Sequence, residues 1–373
     1  MHGKKLESNQ LHFKFIRRIN SVTMINKQAH RKDEHVIIAE KLFHEQSQTQ
    51  LNEIQPLLNN LPEINRDEVS LKTTIMGYEV DSPFFINAIT GGSPQTDKYN
   101  LELAKVANKC KIPFATGSIS VALKDSQYAV GFKKLRKYTQ DTLLFTNLGA
   151  GNSVANAKKA LELTQADGLQ IHLNVAQEIV MPEGDRKFYW KENLIETQKT
   201  ISKPLMVKEV GQGISPLTFN TLSKMGIKYI DLAAQGGTNF IKIENERRHD
   251  LHDYDYLAEI GLSLAKCLLG AQVIANDCSV TASGGIRTPL DIVKALCLGA
   301  DNVGISGLFL HILLKKGPEQ LIETINRFKE EIKDIMTFLG CRTIKELQQV
   351  PVILSPELLS YKLQVKSILK NKM

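Results

Sequence analysis

Eight short apolar runs, each followed by an amphipathic helical stretch, constrain this chain more than any other feature. The runs are Phe84–Ile89, Pro113–Thr116, Leu143–Leu148, Leu169–Leu173, Leu205–Lys208, Tyr229–Ala233, Val280–Ser283 and Val303–Ile305. Strands that alternate with helices build parallel sheets, because a parallel neighbour needs a crossover connection. Eight such units in about 220 residues match a closed α/β barrel, the TIM (β/α)8 barrel. A doubly wound open sheet is the competing architecture, but no GxGxxG follows the first run, which weakens its dinucleotide-binding version. Helix boundaries agree with the rhythm. Ser215-Pro216 and Thr288-Pro289 put a capping hydroxyl before a proline, and Gly226 and Gly299 supply left-handed C-terminal positions. Residues 24–83 read as an N-terminal cover, and 317–373 as the last helix plus a helical tail. One barrel domain then spans 24–373.

Charge does not point to a polyanionic partner for the whole molecule. Lys and Arg total 47 against 40 Asp and Glu, a formal +7. Residues 1–32 contain eight of the basic side chains and one acid, Glu7, so the rest of the chain is net neutral. Residues 1–23 read as a disordered basic extension with no secretory signal, although Ile16, Ile19 and Val22 have the spacing of a weak amphipathic helix. Met24 is an alternative start. Nucleic acid and membrane are not expected partners, and no stretch of 18 apolar residues exists to span a bilayer. The five cysteines are odd in number, scattered and never CxxC, which disfavours a zinc ribbon, a redox pair or a disulfide scaffold. A reducing, cytoplasmic setting fits.

Barrel enzymes build their active sites at the C-terminal ends of the strands. Polar and glycine-rich motifs follow every run here: Asn87-Ala88-Ile89-Thr90-Gly91-Gly92, Thr116-Gly117-Ser118, Asn147-Leu148-Gly149, His172-Leu173-Asn174, Lys208-Glu209, Gln235-Gly236-Gly237-Thr238-Asn239, Ser283-Gly284-Gly285-Ile286-Arg287 and Gly304-Ile305-Ser306-Gly307. The last two form a phosphate-site pattern, since adjacent glycines let backbone N–H groups approach an anion beside a helix N-terminus. A plain tight turn at Gly284-Gly285 is the alternative. Lys208 either faces the barrel mouth or snorkels to solvent. At the mouth it would stabilise negative charge on a flavin ring. Arg31-Lys32, three residues before His35, suits a diphosphate, although a short basic run taken alone reads first as a solvated charged turn. His172 and Asn174 would share one face of a strand, with Gln177 and Glu178 in the loop beyond. One carboxylate with amides and phosphate oxygens suits Mg2+, and no second His or Cys supports zinc. A core histidine and a surface glutamate are the bland alternatives.

Together these motifs resemble the flavin-dependent, type II isopentenyl-diphosphate isomerases. The matching stretches are Arg31-Lys-x-x-His35, the run at 87–92, His172-Leu-Asn174-x-x-Gln177-Glu178, Pro182-Glu-Gly-Asp-Arg186, Val207-Lys208-Glu209, Gly236-Gly-Thr238 and Ser283-Gly-Gly-Ile-Arg287. They run in the family's order across roughly residues 25–350. The resemblance implies a barrel that uses reduced FMN, NADPH or NADH as reductant, and Mg2+ on the substrate diphosphate. It implies conversion of isopentenyl diphosphate to dimethylallyl diphosphate. Carried over position by position, FMN would meet Ala88, Ile89, Thr90, Ser118, Asn147, Lys208, Thr238, Gly285, Arg287, Ile305 and Ser306. The diphosphate would meet Arg31, Lys32, His172 and Asn174, with Gln177 near the alkene as the catalytic residue and Glu178 on Mg2+. Pro182–Arg186 acquires no residue-level role. The resemblance also implies a homo-oligomer, a tetramer or octamer. Thirty residues precede the Arg31-Lys32 motif where the family has a few, and Asn239-Phe240 replaces an expected serine and aromatic.

The rivals are other FMN barrels. An IMP-dehydrogenase-like enzyme needs a mid-barrel Cys, yet none lies between Cys110 and Cys267. A hydroxy-acid oxidase needs His and Arg after the sixth strand, where this chain has Ala233-Ala-Gln-Gly-Gly-Thr-Asn-Phe. A flavin-binding protein without catalysis is a third reading, opposed by the intact polar cluster.

Overall fold

The computed structural model describes residues 27–372 except 45–46, 251 and 275–276. The basic segment 1–23 and Met24 lie outside the described residues. Each apolar run becomes a strand: β1 Phe84–Ile86, β2 Phe114–Ser118, β3 Leu144–Gly149, β4 Gly168–His172, β5 Leu205–Lys208, β6 Tyr229–Asp231, β7 Ser279–Ser283 and β8 Asn302–Ile305. All neighbours pair in parallel, and β8 returns to β1 with Val303 opposite Phe84 and Ile305 opposite Ile86. The sheet is therefore a closed eight-stranded barrel, and the open-sheet alternative is excluded.

Side chains alternate across each strand, so every strand serves two layers. Phe84, Ile86, Leu144, Leu148, Leu169, Ile171 and Val207 point outward into the main core beneath the helices. Phe85, Ala115, Phe145 and Met206 point inward and form a separate core with Ile75 and Met76. Those two residues come from a hairpin, Thr73–Ile75 with Tyr78–Val80, that plugs the N-terminal end of the barrel. Its two-residue turn holds Met76 and Gly77 at φ 51° and 83°, as a primed hairpin turn requires. A Cβ on Gly77 would also sit 2.6 Å from the Tyr229 hydroxyl.

The helix signals act as expected. Ser215 Oγ accepts from the Thr218 N–H, and Thr288 and Asp291 form a reciprocal capping box. Gly226 and Gly299 are left-handed, at φ 81° and 88°. The tail differs from the expected one. The last barrel helix starts at Gly307 and breaks at Gly317, ahead of Pro318, before running on to Leu339. The chain then makes a strand, Val352–Leu354, antiparallel to Ile54–Pro56, before the final helix Pro356–Lys372. Three residues give too little alternation for a strand to be read within a helical tail. Among the described residues no helix is long and apolar enough to cross a membrane, and all five cysteines are free thiols.

Candidate active site

A cavity of about 830 Å³ opens at the C-terminal end of the barrel, within the usual range for a small-molecule site. Every site residue named from the sequence lines it. Ala88, Ile89 and Thr90 enter from the β1 loop, Ser118 and Asn147 from β2 and β3, and His172 from the tip of β4. Lys208 ends β5, Thr238 follows β6, Gly285 and Arg287 follow β7, and Ile305 and Ser306 close β8. Arg31 and Lys32 arrive from the helix Lys27–Lys41, which lies across the mouth.

Two local expectations are corrected. Strand β4 ends at His172, so Asn174 is not its same-face neighbour on a strand. Asn174 instead stands at the N-terminus of a short helix, Val175–Val180, which carries Gln177 and Glu178. One helical turn brings residues four apart together. Asn174 Nδ2 thus donates to Glu178 Oε1 at 2.7 Å, a pairing that a loop would not provide.

The strands' inward side chains turn polar one step above the plug. Asn87 Nδ2 donates to Asp231 Oδ2 at 2.6 Å, and Ser283 Oγ donates to Asp231 Oδ1 at 2.5 Å. Gln170 Nε2 donates to Asn87 Oδ1, Asn147 Nδ2 donates to Gln170 Oε1, and His172 Nδ1 lies 2.8 Å from Asn147 Oδ1. Lys208 is buried, faces the cavity rather than solvent, and lies 3.9 Å from Asp231. Burial, then the charges of Lys208 and Lys32, push the His172 ring down to about 3, so it is neutral. Next to Lys208 in the chain, Glu209 Oε2 accepts from the N–H groups of Val210, Gly211 and Gln212 at 2.5–2.6 Å and folds the β5 loop around itself.

Sequence reasoning missed Glu244. It lies on the helix Phe240–Arg247 with no exposed surface, and its Oε1 lies 2.8 Å from both His35 Nε2 and Gln177 Nε2. Arg247 pairs with its other oxygen. Burial alone would raise this carboxyl, but the hydrogen bond and charge from His35, with Arg247, outweigh it and hold Glu244 at about 2. A carboxylate only accepts, so the NH2 of Gln177 must face Glu244 and its amide oxygen is the acceptor left over. Lys32 is lowered to about 8, by burial and then by Arg31. Glu34 pairs with Arg247 and Lys41 with Glu246, which zips the mouth helix to this one.

Pro182–Arg186, without a role from sequence, holds the cluster in place. The Asp185 N–H donates to Glu178 Oε2 at 2.7 Å. Arg186 donates to the carbonyls of Glu178, Met181, Gly184 and Asp185. Glu183 lies 3.4 Å from both Arg31 and Arg247.

The β6 and β7 loops suit a flavin phosphate. Gly284 and Gly285 have φ of 103° and 84°, and a Cβ on Gly284 would fall 2.1 Å from the Ala234 carbonyl oxygen. Arg287 stacks 4.6 Å over Phe43, which itself stacks on His311. The helix from Gly307 starts without a side-chain cap, so its first N–H groups are left for a ligand. Thr90 Oγ1 and Arg31 Nε are buried without a hydrogen-bond partner, and both residues line the cavity. These features fit FMN and an anion beside it. Among the described residues no group of three or more His, Cys, Asp or Glu could hold a metal. Glu178 fits Mg2+ only as one carboxylate supplementing phosphate and water oxygens, which is how Mg2+ is commonly held.

The comparisons with known proteins agree on this architecture. Residues 128–353 match the family of FMN-dependent dehydrogenases. An isopentenyl-diphosphate delta-isomerase of Latilactobacillus sakei is 46% identical over 334 residues, 90% of this chain and 95% of that protein. One from Lacticaseibacillus casei is 40% identical over 337 residues, 90% and 97% of the two chains. One from Listeria monocytogenes is 42% identical over 330 residues, 88% and 92%. Among solved structures, mandelate oxidase with (S)-2-phenylpropionate aligns with a TM-score of 0.59 at 15% identity, covering 86% of this chain and 90% of that one. At that identity the likeness shows the shared barrel alone.

Proposed function

The chain belongs to the isopentenyl-diphosphate delta-isomerase family, in its FMN-dependent form, and on that premise we propose that it converts isopentenyl diphosphate to dimethylallyl diphosphate with FMN held reduced by NADPH or NADH. The observation that carries this reading is a single cavity that unites a cationic clamp, an amide–carboxylate cluster and glycine loops fit for a flavin. An oxidase reading lacks support in the loop after β6, which has no His or Arg between Ala233 and Phe240.

Moving the double bond adds a proton at one carbon and removes one at another, with no net redox change. Reduced FMN, when bound, supplies acid–base chemistry for that exchange. The chain's own residues do the rest. Arg31 and Lys32 would hold the diphosphate, with Glu178 on its Mg2+. Lys208, buried beside Asp231, would offset negative charge on the flavin. The amide oxygen of Gln177, oriented by Glu244, would face the cationic character that develops at the tertiary carbon. The helix Lys27–Lys41 lines the mouth and would limit the access of water to that carbon. Binding energy spent on the diphosphate then orients the alkene.

The test is to purify the protein with FMN, reduce it anaerobically with NADPH, and supply isopentenyl diphosphate and Mg2+. Dimethylallyl diphosphate should form without stoichiometric consumption of NADPH. A protein that cannot be loaded with FMN, or that consumes NADPH once per turnover, overturns the reading.

A further inference from the structure

The polar layer inside the barrel has a direction. Asp231 can only accept, so Asn87 must turn its NH2 toward it. Asn87 Oδ1 is then an acceptor, and it takes both the Ala88 N–H at 2.8 Å and Gln170 Nε2 at 3.0 Å. The Ala88 contact fixes the same orientation independently. Gln170 Oε1 must therefore accept, and does so from Asn147 Nδ2 at 3.2 Å. Asn147 Oδ1 is left to accept from His172 Nδ1 at 2.8 Å, which places the proton of the neutral ring on Nδ1. Asn87, Asn147, Gln170 and Asp231 are each at most 3% exposed, so solvent offers no alternative partners that would let one amide turn alone.

We propose that Asp231 is a positioning residue that sets the tautomer of His172 through three amides, and that a bound diphosphate engages His172 only with uptake of a proton. The second half rests on the diphosphate reading of the cavity. With Nδ1–H turned into the barrel wall, Nε2 is the lone-pair side of the ring. Phosphate oxygens are acceptors too, so the two repel unless Nε2 gains a hydrogen. The charged groups acting on the ring are Lys208, opposite it on β5, and Lys32 from the mouth helix. Both oppose a third positive charge in the free site. A diphosphate neutralises both at once, and the ring then takes a proton from solvent at Nε2. No bond to carbon changes and no electron moves.

The experiment uses FMN-loaded protein labelled with 15N in its histidines, with His172 assigned by His172→Gln. Without ligand, His172 should show the neutral Nδ1–H form. Gln170→Met cuts the relay without touching Asp231 or Lys208, and Asp231→Asn removes the anchor. Each should populate the Nε2–H form. Inorganic pyrophosphate should convert wild-type His172 to imidazolium. Its affinity should fall with rising pH about tenfold per unit more steeply in wild type than in Gln170→Met, the slope of one linked proton. Lys32 titrates in both proteins and cancels. A wild-type ring with its proton on Nε2, or a tautomer indifferent to both substitutions, overturns the role of Asp231. Equal pH slopes in an enzyme that turns over isopentenyl diphosphate overturn the proton uptake and leave the function standing. Failure to bind pyrophosphate at all overturns the diphosphate reading, while the ligand-free spectrum still judges Asp231.

Discussion

The floor and the mouth of the barrel are built from the same strands, two residues apart. Phe85 and Asn87 share one face of the β1 chain, as do Phe145 and Asn147 on β3 and Met206 and Lys208 on β5. The lower member of each pair packs against Ile75 and Met76. The upper member joins the polar layer or the cavity. Both levels are buried, yet one is dry and apolar and the other is a hydrogen-bonded network that includes the Lys208–Asp231 pair. Apolar burial stabilises wherever it occurs, whereas buried polar groups are tolerated only when each is partnered. The floor therefore serves stability, and the mouth spends some of that stability on a fixed arrangement of donors and acceptors.

Four substitutions break or sharpen this contrast. Phe145→Ala empties the floor and should cost about 4 kcal/mol of unfolding free energy, measured by urea denaturation, while turnover per folded molecule stays close to wild type. Glu244→Gln removes the hub at the mouth and should cost about 3 kcal/mol at neutral pH, together with most of the turnover. Its pH dependence has a defined sign. Glu244 is held at about 2 against an ordinary 4.5, so its contribution is full above pH 4.5 and fades as pH falls toward 2. Wild type and variant should therefore converge in acid. Lys32→Ala should raise KM about tenfold, near 1.4 kcal/mol, with kcat changed less. Because free Lys32 titrates at about 8, wild-type KM should climb above that pH and the variant's should not. Arg186→Lys keeps the charge but loses the fork that joins four carbonyls. It should weaken Mg2+ activation by about threefold with FMN affinity unchanged, a modest effect because the loop is exposed. If Arg186→Lys also released FMN, the loop would belong to the general scaffold rather than to Glu178.

Much of the mouth could be read from the chain because its residues sit in local patterns. A glycine pair after a strand, or two cations one helical turn before a histidine, carries its meaning within a few positions. Glu244 could not be found that way. His35 and Glu244 are 209 positions apart, and Phe-Ile-Lys-Ile-Glu-Asn-Glu-Arg reads as an ordinary charged helix. Asp231, Gln170 and Asn147 did leave a trace, as polar residues inside apolar strand runs where alternation alone predicts packing. That trace marks an inward layer without saying which amide meets which. Asn174 and Glu178 met for a simpler reason, a helical turn too short to be distinguished from a loop by periodicity.

Strand number, parallel pairing, the glycine loops and the caps follow from the sequence itself, because each depends on backbone preferences and periodicity over fewer than about twenty residues. Closure of the barrel, with β8 beside β1, placed all of the candidate residues around one cavity. The burial of Glu244, the depressed His172 and the direction of the polar layer depend on groups tens to hundreds of positions apart sharing one low-dielectric interior. Only the tertiary structure decided those, since burial and charge–charge distance do not exist until the chain has closed.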